Sequence, residues 1–242
     1  LAAFSNGLND AERTLLVSER EATARALSYR TPTSALTAAE HALARGEQIS
    51  HRHLRLLEAA VPVVCREGCH WCCHLKVSVT APEVFWIAAY LQREAPPSQL
   101  SAATERAARL AQDPRIFSSD AKAEGHIPCP LLSERGACTV HAVRPLTCRG
   151  YTSTNAEACR RMLDDDAELV TMNEPLAREL AVVSLGLLAG IGAAGLRGEL
   201  LELTAALHIV LSEPDALPRW LAGEPVFAAA LSEQAGAPGD RA

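Results

Sequence analysis

Four cysteines fall within nine residues, Cys65-Arg66-Glu67-Gly68-Cys69-His70-Trp71-Cys72-Cys73. Three more follow at Cys129, Cys138 and Cys148, and Cys159 trails just behind. Such a cluster dictates how the rest of the chain can fold. Free thiols oxidise, and crowded thiolates repel one another unless a cation sits between them. The two cysteine stretches are therefore expected to converge on a metal or metal–sulfur site, with the backbone turning around it. Gly68 supports a tight bend inside the first stretch.

Disulfides are the competing use of an even cysteine count. Eight cysteines in 242 residues are too sparse for a small disulfide scaffold, and a chain of this size can bury a core without covalent staples. Leu1 to Asp10 lacks the basic region and apolar run of a secretory leader. The expectation is a reducing, cytoplasmic setting with metal-bound thiolates. A net charge of −6 argues against a general nucleic-acid binder, and 4% aromatic residues leave few stacking platforms.

Alanine and leucine dominate, which favours helix. Asn9 or Asp10 is expected to cap a helix running through Tyr29. Thr31-Pro32-Thr33 breaks it, Ser34 starts a second helix ending at Gly46, and Ser50 caps a third. His41, His51 and His53 read as surface residues. Val77-Ser78-Val79 reads as extended. Thr80-Ala81-Pro82-Glu83 is a helix start with a capping box, and that helix runs to about Glu94. Another is expected over Ser98 to Gln112, followed by a polar loop over Ile116 to Gly125. Pro145 opens a helical turn that carries Cys148 back toward the first group. Asp164-Asp165-Asp166 reads as a solvated acidic break.

Glu174-Pro175 opens a long apolar helix. Its uncharged stretch, Leu180 to Leu196, approaches the lower limit for a membrane span. Its glycines, with Gly186 and Gly190 four apart, point instead to a buried helix in close contact with a neighbour that breaks near Gly190–Gly195. No membrane association is expected. Arg197 to Leu211 reads as a further helix, and the tail from Gly223 as ordered only near Val226-Phe227. The expected architecture is mainly α, with helical arms packed around a small irregular cysteine-rich core. Its parts are an N-terminal helical segment over 1–61, a cysteine-cluster domain over 62–160, and a C-terminal helical segment with a flexible tail over 161–242.

Thiolates suit zinc, iron and copper(I), and not magnesium or calcium. A single tetrahedral zinc takes four ligands, fewer than the seven clustered cysteines. Either some thiols stay unbound or the site is polynuclear. Adjacent Cys72 and Cys73 diverge, so one can bind while the other bridges, meets a second metal, or faces a substrate. Cys65, Cys69 and Cys72 with a later cysteine loosely fit an iron–sulfur pattern.

Cys69-His70-Trp71-Cys72-Cys73, then Cys129-Pro130-Leu131-Leu132, then Gly136 to Arg149 with Cys138, His141, Arg144-Pro145 and Cys148, resemble the CxxCxxCC zinc- or iron-chelating family, the YkgJ-like cysteine cluster proteins. The resemblance covers roughly residues 65–151. It implies bound zinc or iron, with Cys65, Cys69, Cys72 and Cys73 as one ligand group and Cys129, Cys138 and Cys148 as another. One related branch, the flagellin lysine-N-methylases, joins this region to protein methylation. Two departures stand out. Three residues separate Cys65 from Cys69 where the pattern has two, and His141 stands where the family commonly has tyrosine.

Around these cysteines, Arg144 and Arg149 are expected to bind the cofactor's charge, offsetting the thiolates or donating to sulfur. His70, His74 and His141 border the site, Trp71 shields it, Tyr151 packs nearby, and Cys159 reads as a buried inert thiol. Two function classes follow. One is an iron or iron–sulfur protein that modifies a protein or peptide. The other is a zinc-stabilised interaction module without catalysis, or a metal chaperone or sensor. No nucleotide loop, dinucleotide fingerprint or nucleophilic-serine elbow is present, and no substrate can be named from the residues.

Overall fold

A computed structural model describes residues 7–58, 61–117, 127–164 and 173–232. The polar 118–126 stretch, Asp165 and Asp166, and the tail after residue 232 lie outside the described residues. Nine α-helices and one two-stranded sheet occur among those described. The protein is mainly α, as its composition implies.

Helix α1, Asp10–Leu27, starts at a complete capping box: Asn9 Oδ1 accepts from the Glu12 amide at 2.9 Å, and Glu12 Oε2 accepts from the Asn9 amide at 2.8 Å. Arg30, at a positive φ of 51°, turns the chain into α2, Pro32–Glu58. Thr31 and Ser34 close this start reciprocally, each hydroxyl accepting the other's amide. α2 is one helix, where the sequence reading expects two. Gly46 does not end it. A Cβ at Gly46 would lie 2.5 Å from Leu146 Cδ2, so the missing side chain makes room for a later helix. Ser50 does not cap. Its hydroxyl donates back to the Gly46 carbonyl at 2.8 Å within the continuous helix.

Helices α3, Ala81–Arg93, and α4, Pro97–Leu110, follow the sequence expectation to within two residues. Two short helices, α5 (Leu146–Gly150) and α6 (Ala156–Asp164), flank the later cysteines. The apolar helix α7, Glu174–Ala193, is long and apolar enough to cross a membrane by length and composition, but half of it is buried within this fold. Its glycines explain how. A Cβ at Gly186 would meet Glu19 Cβ at 2.6 Å, and one at Gly190 would meet Thr23 Cβ at 2.5 Å and the Arg20 carbonyl at 2.6 Å. α1 and α7 thus approach backbone to backbone. Glu19 lies buried in that contact, with Arg45 Nε 2.9 Å from its Oε2.

α7 ends at Ala193, and Gly195 takes a positive φ of 69°. The helix expected over Arg197 to Leu211 begins late. Leu201 and Glu202 form strand β2, paired antiparallel with β1, Ser78–Val79. Two contacts hold this segment extended. Gly198 passes close to the Leu188 carbonyl, and Glu202 accepts the Ala205 amide at 2.8 Å, so it caps α8, Leu203–Ser212, and does not continue it backward. Helix α9, Ala216–Leu221, and a 3-10 turn at Ala228–Ala230 close the fold. Trp220 and Phe227 pack on Phe85 of α3 with ring centroids 5.7 and 5.6 Å away. The core is continuous from α2 through α3, α7 and α8. The cysteine loops lie against it.

Candidate metal centre

The first cysteine stretch is an irregular loop followed by a 3-10 turn, Trp71–His74. Gly68, at φ 88°, makes the bend the sequence suggests. The Cys69 amide closes it on the Arg66 carbonyl at 2.9 Å. The second stretch doubles back on itself: Leu132 and Cys138 bridge antiparallel, Thr139 donates its amide to the Leu131 carbonyl at 2.9 Å, and Gly136 turns at φ 73°.

The two stretches meet. The Cys129 amide donates to the Cys73 carbonyl at 2.7 Å. A Cβ on Gly136 would sit 3.0 Å from the His70 ring and 3.4 Å from the Gly68 carbonyl, so two glycine bends close on one histidine. α4 braces the second stretch from behind, with Gln99 donating to the Thr139 carbonyl and Arg106 to the Pro130 carbonyl, both at 2.8 Å.

Cys148 arrives on α5, as the sequence reading expects. Three contacts fix that short helix. Leu146 donates its amide to Glu83 Oε1 at 3.0 Å, the Thr147 hydroxyl donates to the Ser78 carbonyl at 2.9 Å, and Gly150 passes close to Ala177 of α7. Arg149 is buried and ties α5 inward. Its guanidinium pairs with Glu47 and donates to the carbonyls of Arg144 and Ala142. The structure thus gives Arg149 protein partners on every side and a positioning role.

Arg144 stands differently. One of its terminal nitrogens lies 3.0 Å from His141 Nε2, while its Nε is buried without a hydrogen-bond partner. Its charge lowers the pKa of Cys65, Cys72, Cys138 and Cys148 against the larger upward push of their surroundings. His141 is exposed, and its Nε2 faces Arg144.

All eight cysteines are free, seven of them half-buried and Cys65 exposed. Desolvation pushes the Cys129 and Cys148 thiols well above their ordinary value, and neighbouring thiols add to it. Cys72 is raised first by its hydrogen bond to Cys73, then by burial. The Cys72 thiol adds to the upward push on Cys65 and Cys69 of the first stretch and on Cys138 and Cys148 of the later residues. Among the described residues, no three Cys, His, Asp or Glu side chains are gathered at metal-binding spacing. Neutral thiols have no reason to close on a common point, and binding an ion requires them to deprotonate and turn inward.

The residues fit a thiolate-bound zinc or iron. The donors are soft and unpaired in disulfides. Four buried side-chain atoms lack hydrogen-bond partners among the described residues. Three of them, His70 Nδ1, Arg144 Nε and Thr152 Oγ1, belong to the cysteine loops and the segment beside Ser153.

Cys159, which the sequence reading takes as a buried inert thiol, is half-buried. It sits in the first turn of α6, which packs against the Trp71–His74 turn, and its charge is felt by Cys65 and Cys69. His53 also departs from expectation: it is half-buried, with Nε2 2.7 Å from Glu179 Oε2.

Residues 64–172 match the model of the CxxCxxCC family, described as "Putative zinc- or iron-chelating domain". The matched region contains all eight cysteines, Cys159 included, and runs past the 65–151 span of the sequence resemblance. Neither the curated proteins nor the solved structures returned a match.

Proposed function

We propose, with the zinc- or iron-chelating domain over residues 64–172 as premise, that this chain holds its metal between the two cysteine stretches. Cys65, Cys69, Cys72 and Cys73 would supply ligands from one side, and Cys129, Cys138 and Cys148 from the other. The observation that carries the reading is that the two stretches meet: the Cys129 amide donates to the Cys73 carbonyl at 2.7 Å.

The chain's own residues do the rest. The Cys129–Cys73 backbone bond and the His70–Gly136 contact set the spacing of the loops. Glu83 and Arg149 hold α5, and with it Cys148, in place. Arg144 offsets the negative charge that the thiolates develop as they lose protons. A bound zinc would supply a closed tetrahedral cross-link between the loops, and iron would add redox capacity.

The test is purification without air, followed by elemental analysis and an absorption spectrum. Zinc or iron retained through gel filtration supports the reading. Absorbance near 400 nm separates an iron–sulfur centre from zinc. Protein that emerges metal-free and cannot be reloaded removes it.

A further inference from the structure

The chain returns, after α9, to the strand that leads out of the first cysteine stretch. Val226, Phe227 and Ala230 are buried, with Phe227 against Phe85 of α3, and they anchor this segment in the core. Beyond the 3-10 turn at Ala228–Ala230 the hold is lighter. Leu231 is 41% exposed and makes a single antiparallel bridge with Leu201. The Ser232 amide donates to the Leu200 carbonyl at 2.9 Å, and the Ser232 and Ser78 hydroxyls share a hydrogen bond at 3.0 Å.

Ser78 is joined to both cysteine stretches. It follows Cys73 by five residues, and its carbonyl accepts the hydroxyl of Thr147, the neighbour of Cys148, at 2.9 Å. Resting on the reading above, in which the two stretches hold the metal between them, we propose that Leu231 and Ser232 form a latch that regulates the centre. Closed, the latch holds β1 where Ser78 fixes α5. Open, it lets β1 and α5 part, and Cys148 moves away from the first stretch.

The strengths of the contacts favour this division. One bridge and two hydrogen bonds at a half-exposed chain segment open at little cost, whereas the Phe227 anchor stays in the core and keeps the segment at hand to close again. Opening loosens α5 without unfolding it, because Leu146 keeps its bond to Glu83 and Arg149 its pair with Glu47. The coupling is reciprocal: an ion that fixes Cys148 against the first stretch also favours the closed latch.

The experiment alkylates the folded, metal-free full chain with iodoacetamide and follows each cysteine by mass spectrometry. Ser232→Pro removes both the amide donor and the hydroxyl. Leu231, at φ −61° and ψ 123°, already has the backbone that a residue before proline adopts, so this variant opens the latch without straining the turn. Ser232→Ala removes the hydroxyl alone, and Ser232→Thr keeps it. Cys148 should alkylate about fivefold faster in Ser232→Pro, by a smaller factor in Ser232→Ala, and at the wild-type rate in Ser232→Thr. Cys159, on α6, should keep its wild-type rate in all three. Zinc loaded into Ser232→Pro should pass to a chelator faster than zinc in the wild type. An unchanged Cys148 rate in both Ser232→Pro and Ser232→Ala overturns the inference, and so does an equal acceleration of every cysteine, which would report general loosening. A wild-type chain that takes up no zinc fails the preceding reading instead, and the alkylation rates still decide whether the latch holds Cys148.

Discussion

Glu83 Oε1 accepts the Leu146 amide at 3.0 Å, while its Oε2 accepts both the amide and the hydroxyl of Thr80 at 2.8 and 2.9 Å. One buried carboxyl group thus closes the start of two helices far apart in sequence. The second of them carries Cys148. Desolvation pushes the Glu83 pKa up, against the pull of its donors and of the Arg149 guanidinium.

Glu83→Ala leaves the Leu146 and Thr80 donors buried without a partner. The expected loss is about 2–4 kcal/mol of stability, read by urea or thermal denaturation of the metal-free protein. Because α5 loses its anchor, metal retention should fall as well. A change below about 0.5 kcal/mol would show that the double cap contributes little.

The α1–α7 contact separates two glycines of the same helix. Gly190→Ala places a methyl group against Thr23 and the Arg20 carbonyl and should cost about 1–3 kcal/mol. Gly192→Ala meets no atom within 4 Å and should stabilise by about 0.5–1 kcal/mol, because alanine favours helix. Thermal melts of the two variants check both signs.

Arg149 and Arg144 are both cationic neighbours of Cys148, yet their variants should behave differently. Arg149→Lys loses the fork that reaches Glu47 and two carbonyls, and should destabilise the metal-free protein by about 1–3 kcal/mol. Arg144→Gln gives up a contact with the exposed His141 while its Nε has no protein partner, so it should cost metal-free stability less than Arg149→Lys and weaken metal retention in a chelator competition.

Acid should release the metal. Desolvation raises the Cys129 and Cys148 thiols, so the metal-free protein keeps them protonated at neutral pH. Binding must displace those protons, so apparent affinity rises with pH and falls as pH drops. Each displaced proton weakens binding about tenfold per pH unit. The stabilisation that metal confers should fade in the same direction. A chelator titration at several pH values measures the slope, and a pH-independent affinity would exclude thiol ligands.

Local signals carried far in this chain. Thr80-Ala81-Pro82-Glu83 places the start of α3 correctly because the cap is written in adjacent residues. The Gly186–Gly190 spacing correctly indicates a close helix contact, although only the fold shows that α1 is the neighbour. Gly46 misleads because a glycine that ends a helix and one that admits Leu146 look identical in sequence. Glu202 misleads for a related reason: its role as a cap depends on Ser78 and Val79 pairing with β2 across more than 120 residues. The site follows the same division. Spacing groups Cys65 through Cys148, but the turn at Ser153 and Asn155, which ties the Cys65 sulfur to the start of α6, is not encoded in the cysteine pattern.

The most direct measurement is elemental analysis of the full chain, purified without air and passed through gel filtration, with free thiols counted on the same sample. The account predicts zinc or iron bound in at least about equimolar amount, with most thiols unreactive until a chelator is added. Metal-free protein whose eight thiols react at once, in a fold as stable as after metal addition, would contradict it.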